Sequence, residues 1–177
     1  MANSAFIVCV PEAEARVAAL RERFDASARA GVPAHVTVLF PFMAPRLIDD
    51  DVLVRAARAI AGVRPFEFVL ARVARFPATA WLAPEPAAPF VALTERLLQE
   101  FPTFPPFAGE FDSIVPHLTV AHGGAADADL AEIELVAAMR LHGPVHATCT
   151  SVALMENSCG LWQARRTFAL AGPAHPR

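Results

Sequence analysis

The pattern His-apolar-Thr-Val occurs twice, as His35-Val36-Thr37-Val38 and as His117-Leu118-Thr119-Val120, and it restricts the fold more than any other feature. Each copy stands in an apolar, β-branched stretch that reads as a strand, over 35–40 and 115–121. A proline precedes each histidine by one or two residues, at Pro33 and Pro116. The copies lie 82 positions apart in a chain of 177 residues. A repeat on the scale of half the protein predicts two similar lobes, each giving one strand to a shared site.

Successive strand residues face opposite ways, so His35 and Thr37 share one face while Val36 and Val38 take the other. His117 and Thr119 stand in the same relation to Leu118 and Val120. If the four apolar residues pack into the lobes, both His–Thr pairs must face outward, and a groove between the lobes would bring them together. A phosphodiester in such a groove has bridging oxygens that need proton management and non-bridging oxygens that carry charge. Two imidazoles, with an ordinary pKa of about 6.5, can serve as base and acid near neutrality. Two hydroxyls can donate to the charged oxygens, and this chemistry needs no metal. One strand histidine alone is more often structural. Two copies in matching context are hard to explain by packing, because burying unpaired imidazoles and hydroxyls is costly.

The remaining pattern fits an α+β fold. A buried strand is expected at 5–10, then a helix from Pro11 whose stripe is Ala13, Val17, Leu20 and Phe24, with Glu14, Arg16, Arg21 and Glu22 opposite. Asp49, Asp50 and Asp51 open a second helix that runs to Gly62. Residues 66–75 and 79–83 read as a hairpin, 87–101 as a helix and the proline-rich 102–112 as loop. A helix at 127–141, with Leu130, Ile133, Ala137 and Leu141 as its apolar stripe, and strands at 145–155 and 161–170 complete the chain.

Hydrophobic residues make up 55% of the sequence and charged residues 19%, enough for a filled core without staples. Every apolar run is broken well before the ~20 residues that a membrane span needs. The N-terminal stretch does not match a secretory signal, so a soluble, cytoplasmic protein is expected. Cys9, Cys149 and Cys159, without CxxC spacing, read as buried thiols. A formal net charge of −3 gives no global basic field, which disfavours long duplex nucleic acid and favours a nucleotide or short RNA end.

With its HVTV and PHLTV motifs, the chain resembles the 2H phosphoesterase superfamily, and within it the 2′-5′ RNA ligase and cyclic phosphodiesterase-like proteins. The resemblance spans nearly the whole chain. It implies one bilobal domain over 1–177 with pseudo-two-fold symmetry, two mainly antiparallel sheets facing a central groove and helices outside. It also implies an active site of His35, Thr37, His117 and Thr119, no cofactor, and opening of 2′,3′-cyclic phosphates, cleavage of 2′-5′ linkages or RNA ligation in reverse. One scheme has His117 activating water and His35 protonating the leaving ribose oxygen, although pseudo-symmetry makes either ring eligible. Two alternatives are a non-catalytic nucleotide-binding module and a metal-dependent hydrolase using His35, His117 and His122. The chain is expected to act as a monomer.

Phe40, Phe42, Phe76, Trp81, Phe107 and Trp162 could stack on a base, with Phe40, Phe42, Phe107 and Trp162 chosen as the substrate-binding set. Arg72, Arg75, Arg165 and Arg166 are candidate phosphate partners, with solvated surface the commoner role. His122 reads as a strand-end residue, and His142, His146 and His175 as exposed, without zinc spacing.

Overall fold

The computed structural model describes residues 2–109 and 113–171. His175 and the last part of the 102–112 loop therefore lie outside the described residues. The elements follow the order β1 (Ser4–Cys9), α1 (Glu14–Phe24), α2 (Ala26–Arg29), β2 (His35–Leu39), α3 (Asp50–Ala61), β3 (Phe66–Phe76), β4 (Thr79–Glu85), α4 (Ala88–Glu100), β5 (Leu118–His122), α5 (Ala125–His142), β6 (Val145–Cys149), β7 (Ser151–Glu156) and β8 (Gln163–Ala169).

The fold is α+β, and the two expected sheets are halves of one eight-stranded antiparallel sheet, ordered β6-β3-β4-β5-β2-β1-β7-β8. The halves meet at its centre, where β2 and β5 pair through Val36 opposite Leu118. One half contains β1, β2, β7 and β8, the other β3 to β6. The expected strand at 145–155 is accordingly two strands on opposite sides of the molecule: β6 pairs with β3, and β7 pairs with β1. The chain crosses from one half to the other around Thr150.

The crossover helices are exchanged between the halves. Helix α1, which links β1 to β2, packs under β5, and α4, which links β4 to the loop before β5, packs under β2. Val36, Val38, Leu118 and Val120 all point into the core beneath, none more than 3% exposed. Full burial of each such side chain stabilises the fold by roughly 1.5–3 kcal/mol, so a register slip that turned them outward would be prohibitive.

Local signals set the helix ends. Asp49 accepts from the Val52 backbone N–H at 2.9 Å to cap α3, as its acidic triplet predicts. Asp25 does the same for α2 through Ser27, at 2.9 Å. Gly31 closes the following turn at φ 95°, with the Trp162 backbone so near that a Cβ would lie 3.1 Å from its carbonyl oxygen.

The stripe expected on α5 is not the buried one. Ala128, Ala131, Leu135 and Met139 face the sheet, whereas Leu130, Ile133 and Leu141 are exposed. Small residues decide the rotation, because Ala128 and Ala131 lie against Ala80 and Ala121 and let the helix approach the strands closely. Among the thiols only Cys149 is buried, while Cys9 and Cys159 are exposed. Arg21, assigned to the solvent face of α1, is instead 2% exposed. No helix among the described residues is long and apolar enough to cross a membrane.

Candidate active site

The central pairing fixes the site. With Val36 opposite Leu118 in an antiparallel ladder, His35 falls beside Thr119 and Thr37 beside His117, all four on the face turned away from the core. His35 begins β2, whereas His117 stands just before β5, which starts three residues later than the expected 115. Pro116, which has no N–H to give, is the reason. All four side chains are half-buried.

The two rings are held alike. His35 Nδ1 donates to the Pro33 carbonyl at 2.8 Å, and His117 Nδ1 to the Val115 carbonyl at 2.7 Å. A carbonyl can only accept, so Nδ1 carries the proton in each neutral ring and Nε2 is left as the basic atom. Among the described residues, neither threonine hydroxyl and neither Nε2 has a hydrogen-bond partner.

Burial pushes the His35 pKa down to about 4, helped by the positive charge of Arg21 and by His117, and opposed by the Pro33 carbonyl and Asp25. His117 is also lowered, mainly by burial and further by His122, against the pull of the Val115 carbonyl. The His117 ring is close enough to His35 to act on its charge, but His35 and Thr119 do not line the cavity beside His117. A cavity of about 250 Å³ opens between Thr37, His117, Pro105, Phe107 and Ile114.

The surroundings contain residues that sequence reasoning missed. Arg21 and Asp25 form a buried ion pair at 2.9 Å, and Arg21 also donates to the Val32 carbonyl at 3.1 Å. This ties down the segment that carries Pro33 and His35. The i, i+4 spacing was visible, but burial of the pair was not. Cys9 lies opposite His35 and Ile7 opposite Thr37, so β1 lines the same face.

The aromatic candidates separate. Phe42 is 5% exposed and packs on Phe6, Phe101 and Phe104 with ring centroids 4.9–5.1 Å away, so it belongs to the core and not to a binding surface. Phe40 and Trp162 meet edge to face at 6.2 Å, over an apolar patch of Ala5, Ile7, Val32, Ala153 and Met155. Phe107 stacks at 6.3 Å on the His117 ring, which also meets Phe76 at 5.3 Å and Trp81 at 5.6 Å. The turn that presents Phe107 holds it at φ 50° and Ala108 at φ 54°.

Of the arginines, Arg75 is paired with Asp129 and Glu132 on α5, and Arg165 donates to the Pro45 and Ile48 carbonyls. These two are structural ties. Arg72 lies over the Trp81 ring at 5.9 Å, and Arg166 is exposed. His122 sits at the end of β5 with its Nδ1 2.9 Å from the Thr79 hydroxyl, and His142 and His146 are exposed. Among the described residues no three His, Cys, Asp or Glu side chains form a group that could hold a metal ion.

Comparison with known proteins gives a family and a fold. The family model described as the 2′-5′ RNA ligase superfamily matches residues 9–160. Among solved structures, TT0787 of Thermus thermophilus is similar with a TM-score of 0.60 at 19% identity, covering 97% of this chain and 100% of that one. Escherichia coli LigT complexed with 3′-AMP gives 0.60 at 16% identity, covering 95% and 97%. LigT complexed with NADP+ gives 0.57 at 16%, covering 95% and 96%. None of the curated proteins compared matches the chain significantly.

Proposed function

Because the chain belongs to the 2′-5′ RNA ligase superfamily, we propose that it is a metal-independent phosphodiesterase acting on a 2′,3′-cyclic phosphate or a 2′-5′-linked nucleotide or RNA end. The observation that carries this reading is the square of His35, Thr119, Thr37 and His117 on one sheet face, with each histidine presenting Nε2. The LigT complexes with 3′-AMP and NADP+ support a small nucleotide as ligand.

In hydrolysis, the phosphate lies between the rings and the two hydroxyls donate to its non-bridging oxygens. Water attacks phosphorus, one Nε2 takes its proton, the bond to one ribose oxygen breaks and the other ring's Nε2–H protonates that oxygen. Burial keeps the His35 ring neutral, which suits the base. His117 then serves as acid once the anionic phosphate favours its protonated form. Sequence symmetry left this assignment open, and the strongly lowered pKa of His35 is what favours the reverse of the first scheme. In ligation a 5′-hydroxyl takes the place of water: one Nε2 takes its proton as it attacks the 2′,3′-cyclic phosphate, the bond from phosphorus to the 3′ oxygen breaks, and the other ring protonates that oxygen to leave a 2′-5′ linkage.

The test is turnover after exhaustive chelation, with 2′,3′-cyclic nucleotides, 2′-5′-linked dinucleotides and ADP-ribose cyclic phosphates as substrates. The expected result is a single monoester isomer, lost in both His35→Ala and His117→Ala. Nucleotide binding with no product from any substrate would favour the non-catalytic module, and activity abolished by chelation and restored by metal would favour the metal hydrolase.

A further inference from the structure

Trp81 was a candidate stacking platform, but it is 5% exposed, so its face is not open to a base. Its indole nitrogen has no hydrogen-bond partner, the only such buried side-chain nitrogen or oxygen among the described residues. A buried donor left unpaired is destabilising, and native folds rarely keep one without a use. The composition sharpens the point. With 13 Phe, no Tyr and 2 Trp, the chain fills apolar slots with phenylalanine, and a phenyl ring would pack on Phe76 without the orphan N–H.

The place of Trp81 says what is missing. It pairs with Thr119 across the β4–β5 ladder and so shares that residue's face, with its ring 5.6 Å from His117. The Arg72 guanidinium lies 5.9 Å over the same ring, and its ion pair to Glu85, at 3.9 Å, joins two side chains more than 60% exposed. Such a pair holds weakly. Indole and guanidinium donate and cannot accept, and the His117 Nδ1 proton is already committed to Val115. The unpaired indole N–H and the weakly held guanidinium on this flank of the groove suit an oxygen-rich anion.

We infer that the Trp81 Nε1–H is a substrate-contacting donor that holds an oxygen of the ribose-phosphate ester beside Thr119, with Arg72 swinging aside to admit it. The inference rests on the proposed phosphodiesterase reading and adds one contact to it.

Two indole signals, from Trp81 and Trp162, appear in a 15N-labelled protein, and Trp81→Phe assigns them. Titration with inorganic phosphate and, separately, with adenosine 2′-monophosphate is expected to shift the Trp81 N–H signal downfield while Trp162 responds less. A shift with phosphate alone places the contact on a phosphoryl oxygen, and a shift with the nucleotide only places it on the sugar. If the His35 and His117 ring signals move and Trp81 stays still, this inference fails and the groove reading stands. If none moves, both fail. Equal movement of both indoles also counts against it. In turnover, Trp81→Phe should raise KM about tenfold with kcat little changed and thermal stability undiminished. An unchanged KM would overturn the assignment.

Discussion

His35 and His117 are held by the same backbone device in different surroundings. On one side, the His35 segment is tied to the buried Arg21–Asp25 pair, and the floor beside it is Cys9, Ile7 and the patch under Phe40 and Trp162. On the other, three aromatic rings, Phe76, Trp81 and Phe107, surround His117, and Arg72 stands at the flank. The common part, a ring whose Nδ1 is fixed by the carbonyl two residues upstream, is what proton transfer requires, and it recurs in both halves. The differing part sets ring protonation and the chemistry of the walls. In the proposed reaction, this lets a pseudo-symmetric sheet supply two matched proton carriers and still bind an asymmetric substrate.

The largest effects should come from removing either ring. His35→Ala and His117→Ala are each expected to lower kcat/KM by about 10³–10⁴-fold, with the double variant scarcely worse than either single one. In the bell-shaped pH profile, loss of His35 should flatten the acid limb and loss of His117 the alkaline limb; full activity in either variant would break the comparison.

Next comes the buried ion pair, which among the described residues stands only beside the His35 segment. Arg21→Met leaves the Asp25 carboxylate buried without its counter-charge, with an expected loss of about 3–5 kcal/mol, or roughly 10 °C in Tm. The exposed Arg23–Glu134 pair is the control, since solvent screens it and breaking it should leave Tm nearly unchanged.

A third difference is in acid stability. The folded His35 pKa lies near 4, below its unfolded value of about 6.5, so the unfolded chain binds the proton first. Stability should be undiminished above pH 6.5 and fall by about 3 kcal/mol from this group as pH drops to 4. Denaturant titration of His35→Gln should show that part of the slope removed, and an unaltered slope would contradict the burial argument.

The threonines should give the smallest effects. Thr37→Val and Thr119→Val keep the shape and remove one donor each, with an expected loss of about 100-fold in kcat. Similar losses would sharpen the symmetry, and a loss confined to one would show that the phosphate leans on a single half.

The shared face of the candidate site was legible in the sequence because strand alternation is a strict rule: once Val36, Val38, Leu118 and Val120 were read as core, His35, Thr37, His117 and Thr119 had to face away from it. What escaped depends on tertiary packing. Ala128 and Ala131 outcompete Leu130 and Ile133 for the sheet because close approach matters more there than side-chain size. Phe42 was read as a residue that stacks on substrate, but its neighbours Phe6, Phe101 and Phe104 come from other segments and hold it in the core. Arg21 reads as surface in any single helix, and only the fold of 25–34 around it gives its guanidinium enough partners to be buried.

The most direct measurement is a crystal structure of the protein grown with inorganic phosphate. The account predicts one phosphate whose oxygens contact Nε2 of both His35 and His117 and accept from the hydroxyls of Thr37 and Thr119. Phosphate bound elsewhere, or held by one His–Thr pair with the other ring out of reach, would contradict it.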